Sequence, residues 1–191
     1  MLNILLIDER QERAADICGG LVMAGHQVAA ILSSTADLAG EVARIKPDVI
    51  LIETDAPSRD TLEHIALMER DAPRPVVIFS SDGDAKTIKQ AIGVGVAAYV
   101  VDGLDPARLK PIIDVAVARF EQHQALKTEL AEATQKLSDR KVVDRAKGIL
   151  MKSRGLDEDA AYKALRKLAM DRGKSLALVS KDLVDMAAVL L

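Results

Sequence analysis

The sequence predicts an α/β protein: a doubly wound, five-stranded parallel sheet, followed by a long helical coiled-coil linker and a small all-α three-helix bundle. Three observations carry this. Short runs rich in Val, Ile and Leu at residues 2–7, 27–32, 48–52, 75–79 and 97–101 alternate with segments of helical spacing. The first, third and fourth runs show no polar alternation, as expected of strands covered on both faces by crossover helices. Beyond about Asp105 the strand pattern stops, and little halts a helix before Ser153 once Pro111 is placed in an early turn.

The composition agrees with a folded chain. Hydrophobic residues make up 49% and charged ones 29% of 191 residues, a globular balance. With aromatics at 2% and no Trp, the core falls to Ala, Val, Ile and Leu. The opening "MLNILLIDER" reads as a first strand and lacks the parts of a secretory leader, and no stretch approaches the roughly 18 apolar residues of a membrane span. Cys18 stands alone, so an internal disulfide or a Cys-based metal cluster is excluded, which suits a cytoplasmic protein; it reads as a helix residue facing the core. His26, His64 and His123 are scattered, with no metal spacing and no paired nucleophile. They read as surface or capping residues, and no enzymatic activity is expected.

The strands end in polar residues. In a doubly wound sheet ligands bind beyond the carboxyl ends of the strands, which places Asp8 and Glu9, Glu53, Ser80 and Asp102 around one crevice, with Asp55 two residues past Glu53. Between the third and fourth runs Leu62, Ile65 and Ala66 share one side of a helix.

In the long helix Leu126, Leu130, Ala133 and Leu137 recur at spacings of four, three and four, an a/d seam that predicts a homodimer; packing on the chain's own domains would give the same stripe. Gly155 can end this helix in a left-handed cap, and Asp157 can start the next, with Glu158 and Asp159 in its first turn. Ala161, Leu165, Leu168 and Ala169 then form its buried stripe. Gly173 interrupts, Ser175 can cap a third helix, and Leu176, Val179, Leu183 and Ala187 make its inner face. The expected division is residues 1–120, 121–136 and 137–191.

Charge divides along the chain. Residues 1–136 hold 14 Lys+Arg against 21 Asp+Glu, whereas residues 137–191 hold 12 against 8, so an acidic body carries a basic tail suited to a polyanion. At about 100° per residue, Val142, Ala146, Ile149 and Leu150 share the core side of the helix, while Lys141, Arg145 and Lys152 fall within about 40° of one another on the other side. Gly148 lies on that cationic stripe and Lys147 flanks it, widening the expected cationic surface. A helical glycine costs about 1 kcal/mol relative to Ala; here it admits either a nucleic-acid backbone or a neighbouring helix. Lys163, Arg166 and Lys167 form a second cationic group, with Arg154 near the turn between helices, and Tyr162 can stack on a base or simply pack.

The strand-end set resembles that of response-regulator receiver domains over residues 1–120. The resemblance implies an acidic pair for Mg²⁺, matched by Asp8 and Glu9, and a hydroxyl after the fourth strand, matched by Ser80. It also implies an acceptor Asp where Glu53 stands and a Lys where Asp102 stands. Glu53 is one methylene too long for in-line transfer, which is sensitive to about 1 Å, and Asp102 replaces a charge-assisted contact by repulsion. The expectation is a degenerate phosphoacceptor pocket, Asp8, Glu9, Glu53, Asp55, Ser80 and Asp102, that lacks conventional phosphorylation. Asp55 as a displaced acceptor, Glu53 as an imitation of phospho-Asp, and Mg²⁺ at Asp8, Glu9 and Glu53 remain open; no cofactor is otherwise expected.

"RKVVDRAKGILMKSRGLDEDAAYKALRKLAM" resembles the ANTAR RNA-binding domain, whose pattern includes A-K-G-[IL]-L-M, A-[YF]-x-x-L-R and A-M. Ser180 departs from it, standing where the family usually has Ala. Receiver, linker and ANTAR tail together resemble the ANTAR transcription antiterminators of the nitrate-assimilation (NasT) type, related to the amidase antiterminator AmiR. The resemblance implies binding of tandem stem-loops in nascent leader mRNA, prevention of a terminator hairpin, and sequestration by a ligand-sensing partner protein. By carry-over it marks Ala146, Lys147, Gly148, Arg166 and Lys167; helical position adds Lys141, Arg145 and Lys152, and Arg154 lies beside them. A phosphorylated regulator that binds DNA through its C-terminal helices, and an adaptor without nucleic acid, are the competing readings.

Overall fold

The computed structural model describes residues 1–8, 13–101 and 106–190. It divides into two compact units, Met1–Gln124 and Ala125–Leu191.

The first unit alternates strand and helix as expected: β1 (Asn3–Asp8), α1 (Ala14–Met23), β2 (Gln27–Leu32), α2 (Leu38–Ile45), β3 (Val49–Thr54), α3 (Arg59–Asp71), β4 (Val76–Ser80), α4 (Ala85–Gly93) and β5 (Ala98–Val101). A single 3-10 turn, Pro106–Arg108, leads into α5 (Leu109–Arg154), which begins two residues before Pro111 so that the ring sits in the first turn. All strand pairs are parallel, in the order β2-β1-β3-β4-β5. The three runs without polar alternation are the three interior strands, buried almost end to end, while β2 and β5 form the half-buried edges.

The pleat sends alternate side chains to two separate cores. Leu5, Ile7, Ile50, Ile52 and Ile78 pack against Leu38 and Val42 of α2, Leu62 and Ile65 of α3, and Ala91 of α4. Ile4, Leu6, Val49, Leu51, Val77 and Phe79 meet Ile17 and Leu21 of α1 and Leu109, Ile113 and Ala116 of α5. Helices therefore cover both faces, and the order reverses between β1 and β3. That switch point opens a crevice at their carboxyl ends.

Cys18 lies half-buried on α1 against the second core, where burial raises its thiol pKa. His26 departs from the surface reading. It is 9% exposed, and neither ring nitrogen has a hydrogen-bond partner among the described residues. Burial lowers its pKa and so favours the neutral ring, with Asp114 opposing and Lys110 and the N-terminal amine reinforcing. His64 instead pairs its Nδ1 with Thr35 Oγ1 at 3.2 Å.

In the second unit the end of α5 packs with α6 (Glu158–Arg172) and α7 (Leu176–Leu190). Gly155 and Gly173 adopt the left-handed conformation, with φ of 65° and 60°. Asp157 caps α6 by accepting from the Ala160 N–H at 2.7 Å, and Ser175 accepts from the Leu178 N–H at 3.2 Å. Ala146, Leu150, Ala161, Leu165 and Val184 form the core.

The inner face of α7 is wider than the expected stripe: Val179 is buried, and Leu176 and Leu183 pack on the core, as expected. Among its described side chains Val179, Ser180 and Val184 are buried, whereas Leu176, Leu183 and Ala187 are half-buried. Ser180 Oγ is fully enclosed without a hydrogen-bond partner among the described residues. An unsatisfied buried hydroxyl costs roughly 1–3 kcal/mol, so Ser180→Ala is expected to raise unfolding stability by about 1 kcal/mol. Urea titration checks it; a lowered midpoint at unchanged slope would contradict it.

Candidate functional site

The crevice at β1 and β3 brings Asp8 and Glu53 side by side, as direct partners in the parallel register. Asp8 is fully buried, and Glu53 accepts from Arg13 at 3.2 Å with its side chain 13% exposed. Arg13, the residue preceding α1, thus lays a guanidinium on the carboxylate at the acceptor position. Nothing in sequence spacing announces this pair, which lies 40 residues apart in the chain.

Ser80 ends β4 opposite Thr54. Its hydroxyl donates to the Asp55 carbonyl at 2.7 Å and accepts from the Asp82 N–H at 3.1 Å. The Asp55 carbonyl also receives the N–H groups of Ser81 and Asp82, and the Tyr99 hydroxyl donates to the Asp82 carbonyl at 2.9 Å. These bonds staple the loop after β3 to the loop after β4, with the Ser80 hydroxyl as a structural tie. Asp55 lies past β3 in the exposed part of that loop. Glu9 and Asp102 lie outside the described residues.

Mg²⁺ prefers a near-octahedral set of oxygens. Among the described residues no three candidate ligands stand together, and one oxygen of Glu53 already holds Arg13. Asp8 and Glu53 supply two of the three carboxylates expected of such a site, and the third, Glu9, lies outside the described residues.

The basic bundle offers a different surface. Lys141, Arg145 and Lys152 are exposed along α5, as the helical spacing predicts, and Arg154 is exposed at its end. Gly148 is half-exposed, and a Cβ added there would meet nothing within 4 Å. No neighbouring helix of the described chain requires this glycine. Arg166 and Lys167, with Lys163, are exposed on α6.

Two carried-over positions are corrected by the packing. Ala146 is fully buried in the bundle core, so its side chain cannot meet a ligand. Lys147 does not widen the cationic surface: its side chain is 15% exposed, and Nζ bridges Asp144 at 2.8 Å and Glu158 at 2.7 Å. The hydrogen bond that Lys147 donates to Asp144, then the one to Glu158, raises the Lys147 pKa, and the bond accepted from Lys147 lowers that of Asp144. Lys147 is a tie between α5 and α6. The i,i+3 spacing of Asp144 and Lys147 signals half of this tie; Glu158 comes from another helix and is invisible to spacing.

The a/d seam is exposed within the second unit: Leu126 is 57%, Leu130 69% and Leu137 56% exposed, and Ala133 is also exposed.

The ANTAR domain family matches residues 131–184, which hold the stripe, the glycine and both corrected positions. The transcriptional regulatory protein PdtaR of Mycobacterium tuberculosis is 30% identical over 140 residues, covering 73% of this chain and 68% of that protein. The chain belongs to the ANTAR response regulators. A nitrate regulatory protein of Klebsiella oxytoca is 30% identical over 80 residues, covering 42% of the chain and 20% of that protein, in keeping with the nitrate-assimilation type. These ANTAR relatives are regulatory proteins.

Solved structures place the first unit. The receiver domain of a modulated diguanylate cyclase from Desulfovibrio desulfuricans G20 superposes with a TM-score of 0.56 at 18% identity, covering 64% of this chain and 98% of that one. The receiver domain of the response regulator NarL from Mycobacterium tuberculosis gives 0.54 at 19%, covering 60% and 95%. At such identities the likeness fixes the fold alone, a receiver fold. No helix among the described residues is long and apolar enough to cross a membrane.

Proposed function

We propose that this ANTAR regulator is an RNA-binding transcription antiterminator. It grips tandem stem-loops in nascent leader mRNA and thereby keeps a terminator hairpin from forming. The observation that supports this reading most directly is the exposed row Lys141, Arg145 and Lys152 around Gly148, a glycine with open space at its Cβ, inside the ANTAR segment. Cations set on a rigid helix attract phosphate, and a gap between them lets a looped backbone approach. Arg166 and Lys167 extend the surface from α6, and Arg154 from the turn.

Two hairpins suit two copies, because linked modules gain effective concentration. The exposed leucines at 126, 130 and 137 supply a seam for a homodimer, with residues 121–136 as its linker, 1–120 as the receiver-like unit and 137–191 as the RNA-binding unit. The input is a ligand-sensing partner protein that sequesters the regulator, and not a phosphoryl group. In support, Arg13 lies on Glu53, Ser80 is tied to the Asp55 carbonyl, and the acceptor position carries a Glu.

Two measurements test this. Purified protein is expected to shift a two-hairpin RNA at low salt and not duplex DNA of equal length; preference for the duplex would overturn the reading. Incubation with acetyl phosphate is expected to leave the intact mass unchanged, and a stable gain of one phosphoryl group at Glu53 or Asp55 would sink the proposed mode of control.

A further inference from the structure

The second unit holds a cleft of about 450 Å³ between the end of α5, Tyr162 of α6 and the start of α7. We propose that this cleft receives one unstacked base of the RNA loop, and that it selects a base bearing an exocyclic amino group over uracil. The proposal rests on the RNA-binding reading above and specifies its subsite.

Tyr162 is the sole aromatic residue of the sequence from 125 to 191, yet it is 43% exposed and lines this cleft. A ring kept at the surface of so aliphatic a unit contributes little to the core, whose members are Ala, Leu and Val. Val143 and Leu176 supply apolar walls beside it. An apolar slot with one aromatic face suits the π-surface of a base, and such stacking is worth about 1–3 kcal/mol.

The polar lining sets the edge that is read. Asp139 and Asp144 line the cleft, each with one oxygen engaged by its own helix: Asp139 Oδ1 accepts from Gln135 Nε2 at 2.7 Å, and Asp144 Oδ1 pairs with Lys147 Nζ at 2.8 Å. Ionised carboxylates only accept hydrogen bonds. Adenine, cytosine and guanine each present an amino group to such an acceptor, whereas uracil offers only its N3–H, set between two carbonyls that the carboxylates repel; the lining Lys147 Nζ is already engaged by Asp144 and Glu158. The bond from Lys147 lowers the Asp144 pKa, which keeps that acceptor charged.

At about 100° per residue, Asp144 lies roughly 60–100° round α5 from Lys141, Arg145 and Lys152, on the adjoining flank, and Arg140 lies beyond it at about 100–140°. A strand whose phosphates lie along the exposed cations can therefore turn one base into the cleft, with Arg140 at its rim.

The test uses the full chain and a two-hairpin RNA. Tyr162→Phe is expected to bind as the parent does, while Tyr162→Ala and Tyr162→Leu lose roughly 10- to 100-fold in affinity at unchanged helix content. Removing the base at one loop position, by an abasic substitution, is expected to produce the same loss in the parent and no further loss in Tyr162→Leu. Uridine at that position is expected to bind as poorly as the abasic site. If both Tyr162 variants bind like the parent while Arg145→Ala does not, the cleft takes no base and the RNA reading stands. If their losses add to those of every abasic position, Tyr162 acts without a base and the proposal is overturned. If the parent ignores the RNA in dilute buffer, the RNA reading fails first.

Discussion

Replacement of Lys141, Arg145 and Lys152 together by Ala is expected to weaken binding of a two-hairpin RNA by roughly 100-fold, at about 1 kcal/mol for each solvent-facing ion contact. The three residues are exposed on one side of α5, and none belongs to the bundle core. Their removal should therefore change unfolding stability by no more than about 0.5 kcal/mol. The salt dependence is the sharper readout. Each lost contact to a single-stranded phosphate flattens the log-log slope by about 0.7, so the triple variant should show a slope shallower by about 2. Binding measured from low to moderate salt, beside a thermal melt of each variant, checks both. An unchanged slope with reduced affinity would mean that these residues act on the bundle and not on RNA. Lys147→Ala is a poorer probe despite its place in the motif, because it also breaks the tie to Asp144 and Glu158.

That contrast between Lys141 and Lys147 shows how far the sequence is legible. Helical spacing places both residues on the outside of α5, and for Lys141 it is right. What spacing omits is the partner brought up by another element: Glu158 at the start of α6 draws Lys147 into an ion pair and covers it. The same limit hides Arg13 on Glu53 and the Ser80 hydroxyl on the Asp55 carbonyl. The contacts span 11, 40 and 25 positions of the chain, beyond the reach of local spacing. The sheet was legible because its signal is local: uniform apolar runs mark the interior strands β1, β3 and β4, and the remaining two runs form the edges β2 and β5, neither of which is fully buried. The ends of the last two helices were legible for a similar reason, since left-handed glycines and capping side chains act within one turn. On α7 the stripe through Leu176, Val179 and Leu183 missed the full depth of Ser180 and Val184. A helix wedged against two neighbours buries a wider arc than one stripe, and a small Ser fits the closest approach despite its hydroxyl.

Gly148 separates function from folding most cleanly, because substitution there should move the two in opposite directions. An exposed helical glycine is about 1 kcal/mol worse than Ala, and Leu is close to Ala in propensity. A Cβ at this position meets no atom of the described chain within 4 Å, so Gly148→Ala and Gly148→Leu should each raise bundle stability by about 1 kcal/mol. Were the glycine present to let another part of this chain pack closely, the added side chain would clash and stability would fall. Affinity for hairpin RNA should decline in the same variants, roughly 10-fold for Ala and further for Leu, as about 1.4 kcal/mol or more of close backbone contact is lost. Denaturant titration and RNA binding on the same preparations check the pair of signs. Stabilised variants that bind RNA like the parent would show that the gap between the cations serves no ligand; destabilised variants would return the glycine to a packing role. A rise in one quantity with a fall in the other is the outcome that only a surface shaped for an external backbone provides.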